Sequence, residues 1–222
     1  MRKLGIRMDG LEQPIEDLIK NHSNLQTSEV YTVIEIGSAG CTTLKAIYDI
    51  IKENRQKSFT VFGFDLPNGG GLDLRELIVN FNGKPNIIRK EDMERGQKVD
   101  YNEFYLFLLE SPLEFIKKIN IEVDLCHIDA CHCYKHFTQD FLTIEDKIRK
   151  GGYLFIHDIG IIEQGTDLQH DNEYINVRKA VQDLELFNNK RDGWKFVKEI
   201  PGSRVTGTGF KDGNSMGVFE KL

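Results

Sequence analysis

The 222-residue chain has no apolar run approaching the ~20 residues that cross a bilayer. Its first ten residues, MRKLGIRMDG, lack the apolar core of a secretory signal, so the expected location is the cytoplasm. Basic charge is not in excess: Lys and Arg number 29 against 35 Asp and Glu, a net charge of −6. A nucleic-acid-binding face needs clustered cations, so neither a nucleic acid nor a membrane is expected as a partner. The densest basic runs, KENRQK at 52–57 and KIRK at 147–150, read as solvated helix ends. Cysteine is scarce, at positions 41, 126, 131 and 133, and the last three crowd onto one strand end. That spacing is no disulfide framework, and in the cytosol the four read as thiols. Internal repeats and low-complexity segments are absent. So are G-x-G-x-x-G and the Lys-[Ser/Thr] of a P-loop, which counts against an NAD-linked oxidoreductase.

What is present is a regular alternation of strand and helix patterns. YTVIEIG (31–37), FTVFGFD (59–65), NIIRKED (86–92), EVDLCHID (122–129) and YLFIHDI (153–159) read as strands. Helical spacing occupies 41–54, 72–81, 111–119, 134–150 and 177–188, with Ser111–Pro112 opening one helix and Gly151–Gly152 ending another. WKFVKEI (194–200) and SMGVFEKL (215–222) close the pattern with no helix between them. The expectation is an α/β fold: a Rossmann-like, doubly wound, seven-stranded sheet, mostly parallel, with an antiparallel C-terminal edge. Residues 1–30 read as a helical appendage, 31–222 as the main domain, and 160–176 as a long surface loop.

Two segments carry the chemistry. In the first, Glu35, Gly37, Ser38 and Gly40 form a small-residue turn between a strand and a helix N-terminus, where backbone comes close to a ligand. Asp65 ends the next strand, where a carboxylate takes both hydroxyls of a ribose. Glu35 disfavours a pyrophosphate and suits a ligand with a positive amine or sulfonium. A plain tight turn and a helix-capping Asp remain the alternatives. In the second, VDLCHIDACHCY and GGYLFIHDI end two successive strands in His127, Asp129, Cys131, His132, Cys133, His157 and Asp158. Parallel strands would set these groups side by side at the ligand-binding edge of the sheet.

Together, VIEIGSAGCTT, FGFD, HIDACHCY and GGYLFIHD resemble a class I S-adenosylmethionine-dependent methyltransferase. The second half resembles the metal-dependent branch that methylates hydroxyls of sugars and natural products. The resemblance, over roughly 31–222, implies S-adenosyl-L-methionine as donor, a divalent metal (Mg²⁺ or Mn²⁺), and a small-molecule hydroxyl as acceptor. It implies donor contacts from Glu35, Gly37, Ser38, Gly40, Asp65, Asp129 and, near the adenine, Asp92 and Met93. It assigns the metal to Asp129, Asp158 and His157, and the acceptor's proton to His132 as general base. His157 stands where relatives carry an acid, and an imidazole among oxygens shifts preference from Mg²⁺ toward Mn²⁺ and later metals. Adjacent strand residues face opposite ways, so His157 and Asp158 both ligate only if the strand has ended before them. Cys131 replaces a second carboxylate of some relatives. Rival readings are a donor-binding module without catalysis, a zinc site drawn from Cys126, Cys131, Cys133, His127, His132 and His136, and a nucleophilic cysteine. Homo-oligomerisation stays open to the sequence.

Overall fold

The computed structural model describes residues 12–38, 41–67, 86–89, 103–160, 168–169, 173–174, 176–201 and 215–222. In chain order the elements are α1 (Glu12–Lys20), α2 (Asn24–Thr27), β1 (Tyr31–Ile36), α3 (Thr42–Asn54), β2 (Phe59–Asp65), β3 (Asn86–Arg89) and β4 (Glu103–Leu108). There follow α4 (Pro112–Lys118), β5 (Val123–Ile128), α5 (Tyr134–Ile144), β6 (Ile148–Ile156), β7 (Leu168–Gln169), β8 (Glu173–Tyr174), α6 (Val177–Asp183), β9 (Trp194–Ile200) and β10 (Met216–Lys221).

Eight strands form one sheet in the order β3-β4-β2-β1-β5-β6-β10-β9. The first six run parallel, and β10 pairs antiparallel with both β6 and β9. From β1 the chain builds one side of the sheet through β2, β3 and β4, with β4 between β2 and the edge strand β3, then returns to start the other side at β5. The β1–β5 boundary is therefore the switch point at which open α/β sheets bind ligands. β1 and β5 are buried at every position, as expected of strands covered on both faces. On one face Ile34, Ile128 and Ile156 pack with Phe137, Phe141 and Ile144 of α5 and Val181 of α6. On the other, Val33, Leu125 and Phe155 pack with Ile47 and Ile51 of α3 and Ile15 and Ile19 of α1. Buried polar contacts also tie the N-terminal region to the sheet. The His22 ring lies 2.6 Å from Tyr31 Oη and 2.7 Å from the carbonyl of Gly151, and Ser28 donates to Asp124 at 2.7 Å.

Several boundaries differ from the sequence reading. The sheet has eight strands rather than seven because EFYLFL (103–108), not among the strands read from the sequence, is β4. The helix expected over 134–150 ends at Ile144, and β6 already starts at Ile148, so all of KIRK but Lys147 is strand and the run is no helix end. Gly151, at φ +74, lies inside that strand instead of capping a helix. The helix expected to Asn188 stops at Asp183. Two short strands, β7 and β8, pair inside the expected 160–176 loop. The strand read over 86–92 spans Asn86–Arg89, and the helix read over 72–81 lies outside the described residues.

Asp140 sits on the buried side of α5, 5% exposed. Burial pushes its carboxyl up to about 7 from an ordinary 3.8. Between those values the folded chain keeps a proton that the unfolded chain has released, so stability falls as pH rises through the window. The Asp140→Asn variant carries no such group. It should gain stability over the parent as pH rises from 3.8 to about 7 and hold that gain above it. Urea unfolding at a series of pH values reads the difference; parallel curves for the two proteins would contradict it.

Candidate active site

The carboxyl ends of β2, β1, β5 and β6 are laced together by backbone hydrogen bonds that continue past the strands. Gly37 N donates to Phe64 O at 2.9 Å, Asp129 N to Ile36 O at 2.9 Å, and His157 N to Ile128 O at 3.0 Å. Gly37 adopts φ +84, and a Cβ there would overlap Asp129 O and Ala130 Cα. Only glycine lets the β1 turn close onto the end of β5. From this turn Ser38, 4% exposed, leads to Cys41 in the left-handed region (φ 56), and α3 begins at Thr42. Asp65 stands at the end of neighbouring β2, its Oδ1 accepting from Leu66 N at 2.7 Å. Gly40, Asp92 and Met93 lie outside the described residues.

Two residues back from Gly37 and Asp129, alternation places Glu35 and His127 on the α3 face as register partners. Their side chains meet at 2.7 Å (Oε1 to Nδ1), and both are buried. Burial pushes the Glu35 carboxyl up, with the His127 contact opposing it. Glu35 therefore lies beneath the turn, facing His127. Sequence reasoning singled out each residue but missed the pair. The matching spacing of Glu35-x-Gly37 and His127-x-Asp129 on adjacent strands was the available signal.

Beyond His127 the face opens onto four groups that the sequence reading had nominated. Asp129, His132, His157 and Asp158 each offer one ligand atom, all within 4.8 Å of one another. His132 Nε2 lies 3.2 Å from Asp129 Oδ1, and its Nδ1 lies 3.3 Å from Asp158 Oδ2. His157 Nδ1 lies 3.2 Å from Asp129 Oδ1 and 3.1 Å from Asp158 Oδ1. The condition on His157 and Asp158 is met: β6 ends at Ile156, and Asp158 takes a left-handed backbone (φ 56) that returns its side chain to the side of its neighbour.

The electrostatics are those of two imidazoles shared by two carboxylates. Burial opposes ionisation of Asp129, but the two histidines outweigh it and hold its carboxyl well below the usual range. Burial likewise works against protonation of His157, yet Asp129 and Asp158 carry it up to about 10. His132 is raised for the same reasons. His157 Nδ1 is buried and close to two carboxylate oxygens, but it makes no hydrogen bond of acceptable angle to either. His132 Nε2 is hydrogen bonded to Asp129 Oδ1 at 3.2 Å, and the four ligand atoms lie close enough together to share one cation. The donor set, two nitrogens and two carboxylates, suits a divalent first-row metal.

Other side chains near this edge are committed elsewhere. Phe64 is buried in a stack with Phe107, ring centroids 5.0 Å apart, and is core. Arg178 donates to Ile159 O at 3.1 Å and meets Glu199 at 3.3 Å, which braces the turn after β6. Asn176 N donates to His132 O at 2.9 Å, so the start of α6 braces the loop that carries His132. Cys126 is a buried residue of β5.

Residues 34–159, more than half of the chain, match a family model described as Methyltransferase domain. No curated protein sequence matches significantly. Among solved structures, Aeropyrum pernix fibrillarin with natively bound S-adenosyl-L-methionine is similar in fold: TM-score 0.52 at 14% identity, covering 93% of this chain and 74% of that one. An O-methyltransferase from Bacillus cereus in complex with SAH gives TM-score 0.54 at 10% identity, over 97% and 80% of the two chains. The O-methyltransferase TomG from Streptomyces achromogenes, in complex with SAM, gives 0.52 at 11%, over 94% and 80%.

The close approach at Gly37 gives a direct test. Gly37→Ala forces the turn away from Asp129 and strains a positive-φ position, a cost of about 1–3 kcal/mol. Thermal unfolding should show a lowered midpoint; an unchanged midpoint would mean that the turn does not close on β5.

Proposed function

The chain belongs to the family of methyltransferase domains, and we propose that it moves a methyl group from S-adenosylmethionine to a hydroxyl of a small molecule, assisted by a divalent metal. The observation that carries this reading is the contact between the Gly37 turn and Asp129. It joins a turn suited to the donor directly to a two-imidazole, two-carboxylate cluster suited to the acceptor. Neighbours of the same fold hold S-adenosylmethionine or its product, and two of them are O-methyltransferases.

In this reading the backbone of Gly37 and Ser38 takes the donor's amino-acid end, and Asp65 takes the ribose. Glu35 acts from beneath, through His127 and the turn. Asp129, His157 and Asp158 would hold the metal, whose positive charge, when bound, lowers the pKa of a neighbouring hydroxyl. The acceptor oxygen attacks the methyl carbon in line with the departing thioether: the C–O bond forms as the C–S bond breaks. His132 receives the hydroxyl proton at its ring. The two flanking carboxylates raise its affinity for that proton and stabilise the imidazolium that results. A sugar or glycoside alcohol fits best, because a weakly acidic hydroxyl is the acceptor that requires both a cation and a base.

Calorimetry should detect S-adenosylmethionine binding to the metal-free protein, and no heat at about 1 mM donor would remove the reading. With an alcohol acceptor, a chelator should abolish transfer and Mn²⁺ or Mg²⁺ should restore it; donor binding without any transfer would favour a binding module instead. His132→Ala should lower kcat by roughly 10²- to 10⁴-fold with donor affinity unchanged. Turnover equal to the parent's would take the proton transfer away from His132.

A further inference from the structure

Directly beside the four-residue cluster lies a second convergence of ligand atoms that methyl transfer does not use. Cys131, Cys133 and His136 bring one ligand atom each to within 4.8 Å of one another. Cys131 Sγ and His136 Nδ1 are 3.1 Å apart and hydrogen bonded. Cys131 and His136 are partly exposed, and Cys133 is fully buried at the N-cap of α5. We infer that Cys131, Cys133 and His136 form a site for one thiophilic divalent cation of the Zn²⁺ type, separate from the carboxylate cluster.

The local chain geometry explains how residues 129–136 contribute to two sites of opposite chemistry. Cys131-His132-Cys133 crosses from the end of β5 to the start of α5, with Cys133 in extended backbone (φ −75, ψ 145). Alternation along such backbone turns the two sulfurs to one side and His132 to the other. His132 accordingly meets Asp129 and Asp158, while the sulfurs meet His136 from the first turn of α5. Cys133 and His136 are three apart, the spacing that puts a cap residue and a first-turn residue within reach of one ion.

The donor sets sort the metals. Thiolates select Zn²⁺ and its soft neighbours, and the sulfur-free cluster of two imidazoles and two carboxylates suits Mn²⁺ and other harder first-row ions. A tetrahedral Zn²⁺ with Zn–S of ~2.3 Å and Zn–N of ~2.0 Å sets its ligand atoms about 3.6–3.8 Å apart. Small side-chain rotations reach that from the observed arrangement. The positive end of α5 favours the anionic sulfur of Cys133. Binding releases the thiol protons to solvent and leaves the fourth position for water. A cation there would fasten the loop carrying His132 to α5, as Asn176 fastens it to α6.

Cobalt distinguishes the two sites, because only this one supplies sulfur. The full-length protein, reduced and metal-free, is titrated with Co²⁺. The thiolate-to-cobalt charge-transfer absorption should appear, reach its maximum by two equivalents per chain (one for each cluster), and disappear on addition of excess Zn²⁺. The band should be lost in Cys131→Ser and weakened in His136→Gln, both partly exposed positions whose fold far-ultraviolet circular dichroism verifies. It should persist in Asp129→Asn. Zn²⁺ should raise the melting temperature of the parent more than that of Cys131→Ser. Absence of charge-transfer absorption in the parent, or an undiminished band in Cys131→Ser, overturns the site. No methyl transfer is measured, so the outcome is independent of the proposed reaction.

Discussion

The structure turns on how closely the first β–α turn approaches the end of β5. β1 and β5 are the central neighbours of the sheet, and the chain reverses its winding direction between them. Gly37 has no side chain to keep the two strand ends apart, and the hydrogen bond from Asp129 N to Ile36 O fixes their level. Once that level is fixed, alternation decides which side chains meet. Glu35 and His127 fall below the edge and pair in the core. Asp129 falls at the edge, and β6 brings His157 and Asp158 up beside it through the bond from His157 N to Ile128 O.

Below the edge, the contact between Glu35 and His127 offsets part of the penalty of burying an acid. At the edge, two carboxylates close enough to repel are held together by two imidazoles that both face. Like charges gathered this way need protonated histidines or a cation among them. The raised His157 and the depressed Asp129 are two views of the same stored attraction. A divalent ion among the four groups would take the place of the imidazolium protons in balancing the two carboxylates, which is the role proposed for the cluster.

Much of this was legible in the sequence where one local pattern governs. FTVFGFD and WKFVKEI have the bounds of β2 and β9, and Ser111–Pro112 opens α4. Reading failed where two signals competed. EFYLFL has the continuous apolar character of a buried strand, but its polar surroundings hid it. KIRKGG carries helix-ending residues, yet Ile148 pairs with Val123 of β5 and the strand runs on to pair again at Tyr153 across a register shift, so sheet pairing outweighs local propensity. The four residues of the edge cluster could be named from the ends of two apolar runs. The left-handed turn at Asp158 that unites them could not, since non-glycine residues seldom take that conformation. The sorting of Cys131-His132-Cys133 onto two sides depends on the extended backbone that enters α5, which residue types alone do not announce.

In the proposed reaction the Gly37 turn and the cluster of Asp129, His132, His157 and Asp158 form one site across the β1–β5 boundary. Crystals grown with S-adenosylhomocysteine and Mn²⁺, measured at the manganese edge, test it most directly. The account predicts an anomalous peak among Asp129, His157 and Asp158, with the nucleoside over the Gly37 turn and its ribose on Asp65. A well-ordered nucleoside with no manganese peak among those residues, or a ligand bound away from the turn, would contradict it.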